Sequence, residues 1–542
     1  MKSASCLILA ISWLLMFSGC KTAETATGLL DDYDPPKEDF RGAWLTSVVN
    51  LDWPVSNEQP VDEQKADAIA MLDSLKDIGI NAVLFQVRGE SDALYASAYD
   101  PWSYWLTGEQ GRAPEPFYDP LSFMVSEAHK RGMELHAWLN PYRVERIKGK
   151  YDLAGSNISR REPEWILEFA SGEDQYYTML NPGLPEVRDY VTNVVVDIIS
   201  RYDVDGVHFD DYFYPYSPVT DEDSLTWEEH HSGIEDIEDW RRHNVNELVA
   251  QVHDSIQALD PDINFGISPF AIRKNEDAGT DAFEGYYRLY ADGQAWLEEQ
   301  TIDYINPQLY FELEHPRAPY APLLEYWTRV AYENGRHMYA GLAPYKIFPP
   351  TDWTLEQALD QLLLNLENGK VHGNIYFRTE HMIGNPKGYT DFVRDELYRY
   401  PALTPSMPWK SQARPPEVQK LSASWSGDGR MILTWADRYP ESGEADPLRY
   451  AVYKIASGAD EYDQLATAEN PALSANDELA DEVLKAENMI GLTGENQFVD
   501  QWPEGRDEAI YLITSVSRNS RESEPVMIRT SRDGDRFTYD AM

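Results

Sequence analysis

Three carboxyl groups stand where a chain could put them to chemical use: Glu90, Asp210 and Asp211. Glu90 follows the apolar-alternating run Phe85-Gln86-Val87-Arg88, and the aspartates close Val207-His208-Phe209. Glycosidic bond cleavage needs two carboxyl groups flanking the bond, one protonated and one ionised as nucleophile or base. Other hydrolytic chemistries are poorly served. Gly266-Ile267-Ser268-Pro269 is no Gly-x-Ser-x-Gly elbow, so a nucleophilic serine has no support. The only cysteines are Cys6, in the leader, and Cys20, the expected lipidation site, which leaves no thiolate nucleophile or disulfide. His136, His208 and Asp210 could meet inside a barrel, but no HExxH or HxH spacing backs a metal site. The expected cofactors are none and the expected metals are none.

The elements that must position these groups are short apolar strands alternating with longer helical stretches. Eight strand candidates run from Gly42–Val48 to Gly373–Thr379, with helices such as Asp62–Asp77 and Pro185–Arg201 between them. That count predicts an α/β fold, a closed (β/α)8 TIM barrel over residues 40–400, with its site in the loops after the strands. No glycine-rich phosphate fingerprint follows the first strand, which disfavours a doubly wound open sheet.

Strand alternation then says what faces the lumen. In the second strand Val83, Phe85 and Val87 face the helices, leaving Gln86, Arg88 and Glu90 inside. The third strand sends in His136, Trp138 and Asn140. The fourth sends in His208 and Asp210, with Asp211 aimed sideways. The sixth sends in Asn306, Gln308 and Tyr310, and the eighth Tyr376, Arg378 and Glu380. Arg88, Trp138, Asn140, His208, Gln308, Tyr310 and Arg378 are thus candidates for binding substrate. An unpaired buried polar group costs about 1–3 kcal/mol, so such a cluster points to function rather than stability. Seven aromatics between Tyr95 and Tyr118 either stack on sugar rings or pack their own loop. Arg88, Arg143, Arg273, Lys346 and Arg378 fall near strand ends, where a positive patch would read a substrate carboxylate.

The ends of the chain carry other information. Lys2 and the apolar run Leu7–Phe17 read as an export signal over residues 1–19, ending in Phe17-Ser18-Gly19-Cys20, a lipobox-like site for lipidation of Cys20. A polar tether over residues 20–39 follows, giving a lipid-anchored protein of the cell envelope, in the outer membrane if the host is Gram-negative. A net charge of −47 excludes nucleic acid as a partner. Prolines mark residues 401–416 as a linker, and the alternating runs within 417–542 predict a small all-β, fibronectin type III-like sandwich. No chemistry is expected there, and its loss is expected to leave turnover of short glycans intact.

Several blocks resemble one family. They include Arg41-Gly42-Ala43-Trp44-Leu45, Asn140-Pro141-Tyr142-Arg143, Val204-Asp205-Gly206-Val207-His208-Phe209-Asp210-Asp211-Tyr212, and Tyr304-Ile305-Asn306-Pro307-Gln308. The chain is similar, over roughly residues 38–400, to the glycosyl-hydrolase-like family 10 of bacterial envelope proteins. The resemblance implies a secreted TIM-barrel glycosidase acting on peptidoglycan glycan strands, with an essential glutamate after the second strand that maps onto Glu90. It adds Tyr142, Arg143 and Tyr212 to the substrate-binding candidates. Gly89 stands where the family pattern has proline. The expected function is hydrolysis of a β-linked envelope glycan with Glu90 as acid, Asp210 as its carboxylate partner and Asp211 in support. A non-catalytic glycan-binding lipoprotein and a hydrolase of an environmental polysaccharide are the alternatives.

Overall fold

The computed structural model describes Leu30 and residues 33–351, 353–426, 429–457, 482–502, 507–533 and 536–541. The leader and Cys20 lie outside the described residues.

Nine parallel strand segments wind into one barrel: β1 (Phe40–Leu45), β2 (Ala82–Arg88), β3 (Glu134–Leu139), then, after an excursion, β7 (Gly206–Phe209), β8 (Asn264–Ile267), β9 (Tyr304–Ile305), β10 (His337–Met338), β11 (Ala340–Leu342) and β12 (Gly373–Tyr376). Their order is β10-β9-β8-β7-β3-β2-β1-β12-β11. β10 and β11 are two pieces of one run broken only at Tyr339. One piece pairs with β9 and the other with β12, so the sheet closes on itself as an eight-position barrel. The excursion is a small antiparallel sheet, β4 (Arg143–Glu145), β5 (Ile166–Gly172) and β6 (Gln175–Leu180), within the loop that follows β3. Helices between the strands start where the sequence says they should. Pro185 opens the Pro185–Arg201 helix, and Asp236 caps Ile237–Leu259 by accepting from Glu238 N and Asp239 N.

The barrel interior mixes apolar and polar residues. Phe40, Leu84, Tyr304, Tyr339 and Ile375 form one buried cluster, with Phe40 stacked on Tyr339 at 4.1 Å between ring centres. Two large rings enter because the facing strand positions lack a side chain. A Cβ on Gly206 would sit 2.5 Å from His136 Nδ1, and one on Gly266 would sit 2.0 Å from Tyr304 Cζ.

Alternation holds on most strands and fails on two. A register shift between Gln86 and Arg88 on β2 turns Arg88 out of the lumen. On β12 the parity is reversed: Ile375 and Phe377 face the interior, while Tyr376 points outward to Tyr398, its hydroxyl 2.8 Å from that of Tyr398. Ile375 and Tyr376 are adjacent and both bulky. The branched aliphatic side chain takes the dry side, and the phenol takes the side that offers a hydrogen-bond partner.

Beyond the barrel, β13 (Gln419–Trp425), β14 (Arg430–Ala436) and β17 (Gln497–Gln501) form one antiparallel sheet. β15 (Arg449–Ala456), β16 (Met489–Thr493), β18 (Glu508–Val516), β19 (Val526–Asp533) and β20 (Arg536–Ala541) form a second. A shared core of Ala423, Leu433, Trp435, Val452, Tyr511 and Ile528 makes them a sandwich.

The proline-rich segment before the sandwich is packed against the barrel floor. Lys410 Nζ lies 2.9 Å from Asp303 and donates to Ile263 O, and Trp409 Nε1 donates to Asp303 at 2.7 Å. The sandwich adds Arg449 to Glu134 at 2.9 Å and Arg518 to Asp203 at 2.6 Å. Buried carboxylates at the start of β3 and β9, Glu134 and Asp303, and the exposed Asp203 before β7 thus meet cations supplied from below. The last tether residues join this packing, as Asp39 N donates to Leu403 O.

Candidate active site

A cleft of about 300 Å³ opens at the C-terminal end of the strands. Its carboxyl groups are Asp210 and Asp211, which follow β7 directly. Trp44, Trp138, Tyr212, Tyr216, Tyr310, Tyr345 and Phe377 supply its aromatic walls, and Arg143 and Arg146 its positive side. Flat faces beside carboxyl groups suit a sugar ring, which offers C–H surface to stack and hydroxyls to bond.

Asp210 is almost fully buried. It accepts from Trp138 Nε1 at 3.4 Å, from Tyr212 N at 3.2 Å and from Asn140 Nδ2. Burial first, and the charge of Asp211 second, push its pKa up to about 7. Asp211 is also raised by burial, against hydrogen bonds from Tyr216 and Gln308. Asn140 is the link between strands: its Oδ1 accepts from Gln86 Nε2 at 2.7 Å and from Arg143 NH2 at 2.6 Å, while its Nδ2 faces Asp210. Arg143 is anchored on Gly89 O at 2.7 Å and rides 5.0 Å above the Tyr212 ring.

Glu90 is buried beside this cleft rather than in its lining. Its oxygens accept from Trp105 Nε1 at 2.7 Å, Arg146 N at 2.7 Å and Tyr151 Oη at 3.1 Å. The indole and the amide can only donate, so Glu90 meets donors on both oxygens. Asp210 and Asp211, rather than Glu90, are the carboxyls that line the cleft.

Of the other expected site residues, Trp138, Arg143, Tyr212, Gln308 and Tyr310 line the cleft, and Asn140 stands one bond behind Asp210. His208 lies beneath the cleft, its Nε2 3.2 Å from the Trp44 indole nitrogen. Three do not join it. Arg88 is fully buried in an ion pair with Asp100 at 2.7 Å, the consequence of the β2 bulge. Tyr142 is buried away from the lining. Arg378 turns to Asp52 at 2.9 Å and Glu380 at 2.6 Å because β12 runs in the opposite parity. Others of the expected basic patch are also engaged within the protein: Arg273 pairs with Asp277 at 2.8 Å, and Lys346 Nζ donates to the backbone carbonyl Tyr310 O at 2.5 Å.

Sequence reasoning missed Trp44, Arg146, Tyr216, Tyr345 and Phe377. Arg146 is exposed on the cleft rim and makes no side-chain ion pair among the described residues. Its position just past the Arg143–Glu145 strand was the available signal. The seven aromatics of the loop after β2 do not line the cleft. Tyr95 is buried against Tyr202, Tyr118 is buried with its hydroxyl donating to Gln64, and Tyr104 stacks on Tyr151 at 4.2 Å. Among the described residues no group of three His, Cys, Asp or Glu side chains is arranged around a common metal position.

A closed (β/α)8 barrel with carboxyl groups, arginines and aromatic rings gathered at its C-terminal mouth defines a glycoside hydrolase-like barrel protein. The chain belongs to the glycosyl hydrolase-like 10 family, which its residues 39–356 match. It is 35% identical over 502 residues to the glycosyl hydrolase YngK of Bacillus subtilis, covering 90% of this chain and 92% of that one. It is 35% identical over 373 residues to the glycosyl hydrolase DigH of Escherichia coli K12, covering 63% of this chain and 83% of that one. Among solved structures, the PgaB glycoside hydrolase domain from Bordetella bronchiseptica aligns at 13% identity with a TM-score of 0.42, over 67% of this chain and 99% of that one.

Proposed function

We propose that this protein is a glycoside hydrolase that cleaves a β-linked, carboxylate-bearing envelope glycan of the peptidoglycan glycan-strand type. The observation that carries the reading is Asp210, a buried carboxyl whose pKa is pushed up to about 7, inside an aromatic cleft that also holds Asp211. A carboxyl poised near neutrality is suited to protonate a leaving oxygen at physiological pH. Asp210 is the proton donor in this reading. Asp211, held by Tyr216 and Gln308 on the other side, is the second carboxyl and faces the charge that develops on the sugar ring. Trp44, Trp138 and Tyr310 hold the ring, and Arg146 meets the substrate carboxylate. Glu90 fixes the rim by holding Trp105, Tyr151 and the Arg146 amide in one arrangement. The sandwich is of fibronectin type III-like character, and lipidation of Cys20 holds the molecule at the envelope.

Release of reducing ends from purified, peptide-free glycan strands tests the reading. Wild type should release them and Asp210→Asn should not. Binding of the strands by wild type without release would establish a lectin instead. An aryl glycoside with a strongly acidic leaving group needs no proton donor, so Asp210→Asn should regain activity on it, whereas Asp211→Asn should not.

A further inference from the structure

A single file of hydrogen-bonded side chains runs up the barrel axis from the sandwich to the cleft. Arg449 NH2 donates to Glu134 Oε1 at 2.9 Å, and Glu134 Oε2 lies 3.1 Å from His136 Nε2. His136 Nδ1 is 3.0 Å from Tyr304 Oη, which is 3.1 Å from His208 Nδ1. His208 Nε2 is 3.2 Å from Trp44 Nε1 and 3.1 Å from Ser268 Oγ. All of these side chains are buried, and Trp44 lines the cleft.

The ends of this file dictate the direction of every bond in it. An indole N–H can only donate, so His208 Nε2 must accept. Burial holds His208 well below the usual histidine range, so it is neutral and its one proton is on Nδ1. That proton goes to Tyr304 Oη. The phenol, whose pKa burial pushes far up, keeps its own proton and gives it to His136 Nδ1. The His136 proton therefore sits on Nε2, facing Glu134. Glu134 must accept there, and its other oxygen accepts from Arg449. The bottom of the file is consistent with the top only while Glu134 is a carboxylate and His136 carries one proton.

We propose that Arg449, a residue of the sandwich, is a positioning residue for the cleft at the far end of the barrel, because its charge sets the tautomer of His208 and so the seat of the Trp44 indole. Without the guanidinium, Glu134 is a buried carboxylate with no cation beside it, and the file takes up a proton at its lower end. Thr404 donates to Glu134 Oε1, which steers that proton to Oε2 or to His136, and in either place His136 Nδ1 becomes a donor. Tyr304 then turns its proton to His208 Nδ1, and His208 Nε2 presents an N–H, which Ser268 Oγ can accept, where the indole N–H had found a lone pair. The indole loses its partner, and the wall on which a sugar ring would stack shifts.

The test uses the full-length chain labelled with 15N at histidine and tryptophan. In wild type, His208 should carry its proton on Nδ1 and His136 on Nε2; a His208 proton on Nε2 overturns the proposal without any variant. Arg449→Met should move the Trp44 indole N–H resonance, shift the His208 nitrogens to the other tautomer, and lower kcat by about tenfold or more. Arg449→Lys, which keeps the charge, should return all three towards wild type. Glu134→Gln places an amide donor against His136 and should reproduce the Met variant with Arg449 still present. An Arg449→Met protein that is folded, with unchanged Trp44 and His208 resonances, overturns the proposal. Only the kinetic arm rests on the proposed hydrolase activity. The tautomers and the indole resonance are read whether or not any glycan is cleaved, so failure of one reading is distinct from failure of the other.

Discussion

Asp210 and Asp211 are consecutive in the chain, yet their carboxyl groups are held from opposite sides of the cleft. Asp210 is bound by Trp138 and Asn140, from β3 and the residue just after it, and Asp211 by Tyr216 of its own loop and Gln308 beyond β9. A strand sends neighbours to opposite sides. Because the strand ends at Phe209, both aspartates still reach the mouth, one from each flank. They accordingly differ in the effect of replacement. Asp210→Asn removes the proton donor and should lower kcat by about 10²–10⁴-fold on natural glycan, with the fold kept. Asp211→Asn keeps the hydrogen-bonding shape towards Tyr216 and Gln308 and should cost less. Steady-state kinetics on peptide-free strands decide this, and a more damaging Asp211→Asn would reverse the assignment.

The pKa of Asp210 carries two pH predictions with definite signs. The donor must be protonated, so kcat should fall as pH rises through about 7. Stability moves in the same direction. The folded value lies above the unfolded one, so the stabilisation is present below about pH 4 and is lost as pH rises through about 7. Asp210→Asn has no charge to bury. It should be more stable than wild type at pH 8, by at most about 4 kcal/mol, and the gap should close towards pH 4. Paired thermal melts at the two pH values measure it. A gap independent of pH would remove Asp210 as the titrating group.

The sequence made most of this legible, and the places where it did not have physical causes. Eight strand–helix units, the inward His136, Trp138, His208 and Gln308, and the aspartates at the end of β7 all follow from alternation. Arg88 did not, because one inserted residue on β2 flips every side chain beyond it. Tyr376 and Arg378 did not, because Ile375 and Tyr376 are both large and only the packed interior decides between them. Trp44 was invisible as a site residue. Its role depends on His208, 164 positions away in the chain.

Arg88 and Arg146 should separate cleanly in experiment. Arg88→Met leaves Asp100 buried without its cation and should cost about 3–5 kcal/mol of folding free energy. The KM of the protein that remains folded should stay at the wild-type value. Urea denaturation and steady-state kinetics together test this. A large KM change with normal stability would put Arg88 at the substrate after all.

Arg146→Gln should do the reverse. The side chain is exposed and without an ion pair among the described residues, so its loss should leave stability unchanged. An exposed ion pair is worth little, and KM for a carboxylate-bearing strand should rise only about two- to fivefold. KM for the same glycan with its carboxyls reduced to alcohols should not move. Equal changes for the two substrates would rule out Arg146 as the reader of the carboxylate.

Removing the sandwich should unfold the barrel rather than trim it. The expectation from sequence was a separable module, because no candidate catalytic residue lies beyond residue 415. The structure instead has Arg449 on Glu134 at 2.9 Å and Arg518 on Asp203 at 2.6 Å, with Arg518 also 3.7 Å from the buried Asp205. Gly132 lies so close to Leu492 that a Cβ there would be 2.7 Å from the Leu492 carbonyl carbon. Breaking a buried ion pair from one side costs about 3–5 kcal/mol, so losing Arg449 from Glu134 alone is a large share of the stability of an ordinary domain, about 5–15 kcal/mol. Water reaching the uncovered floor offsets part of this cost, but it also reaches Leu403, now packed in one cluster with Ala451, Tyr453 and Leu492. A chain ending at residue 414 should therefore melt far below wild type or aggregate, and limited proteolysis should cut within the barrel. Supplying residues 415–542 as a separate chain should restore protection if they dock. A truncated barrel that melts cooperatively at the wild-type temperature would show that the floor contacts carry no such weight.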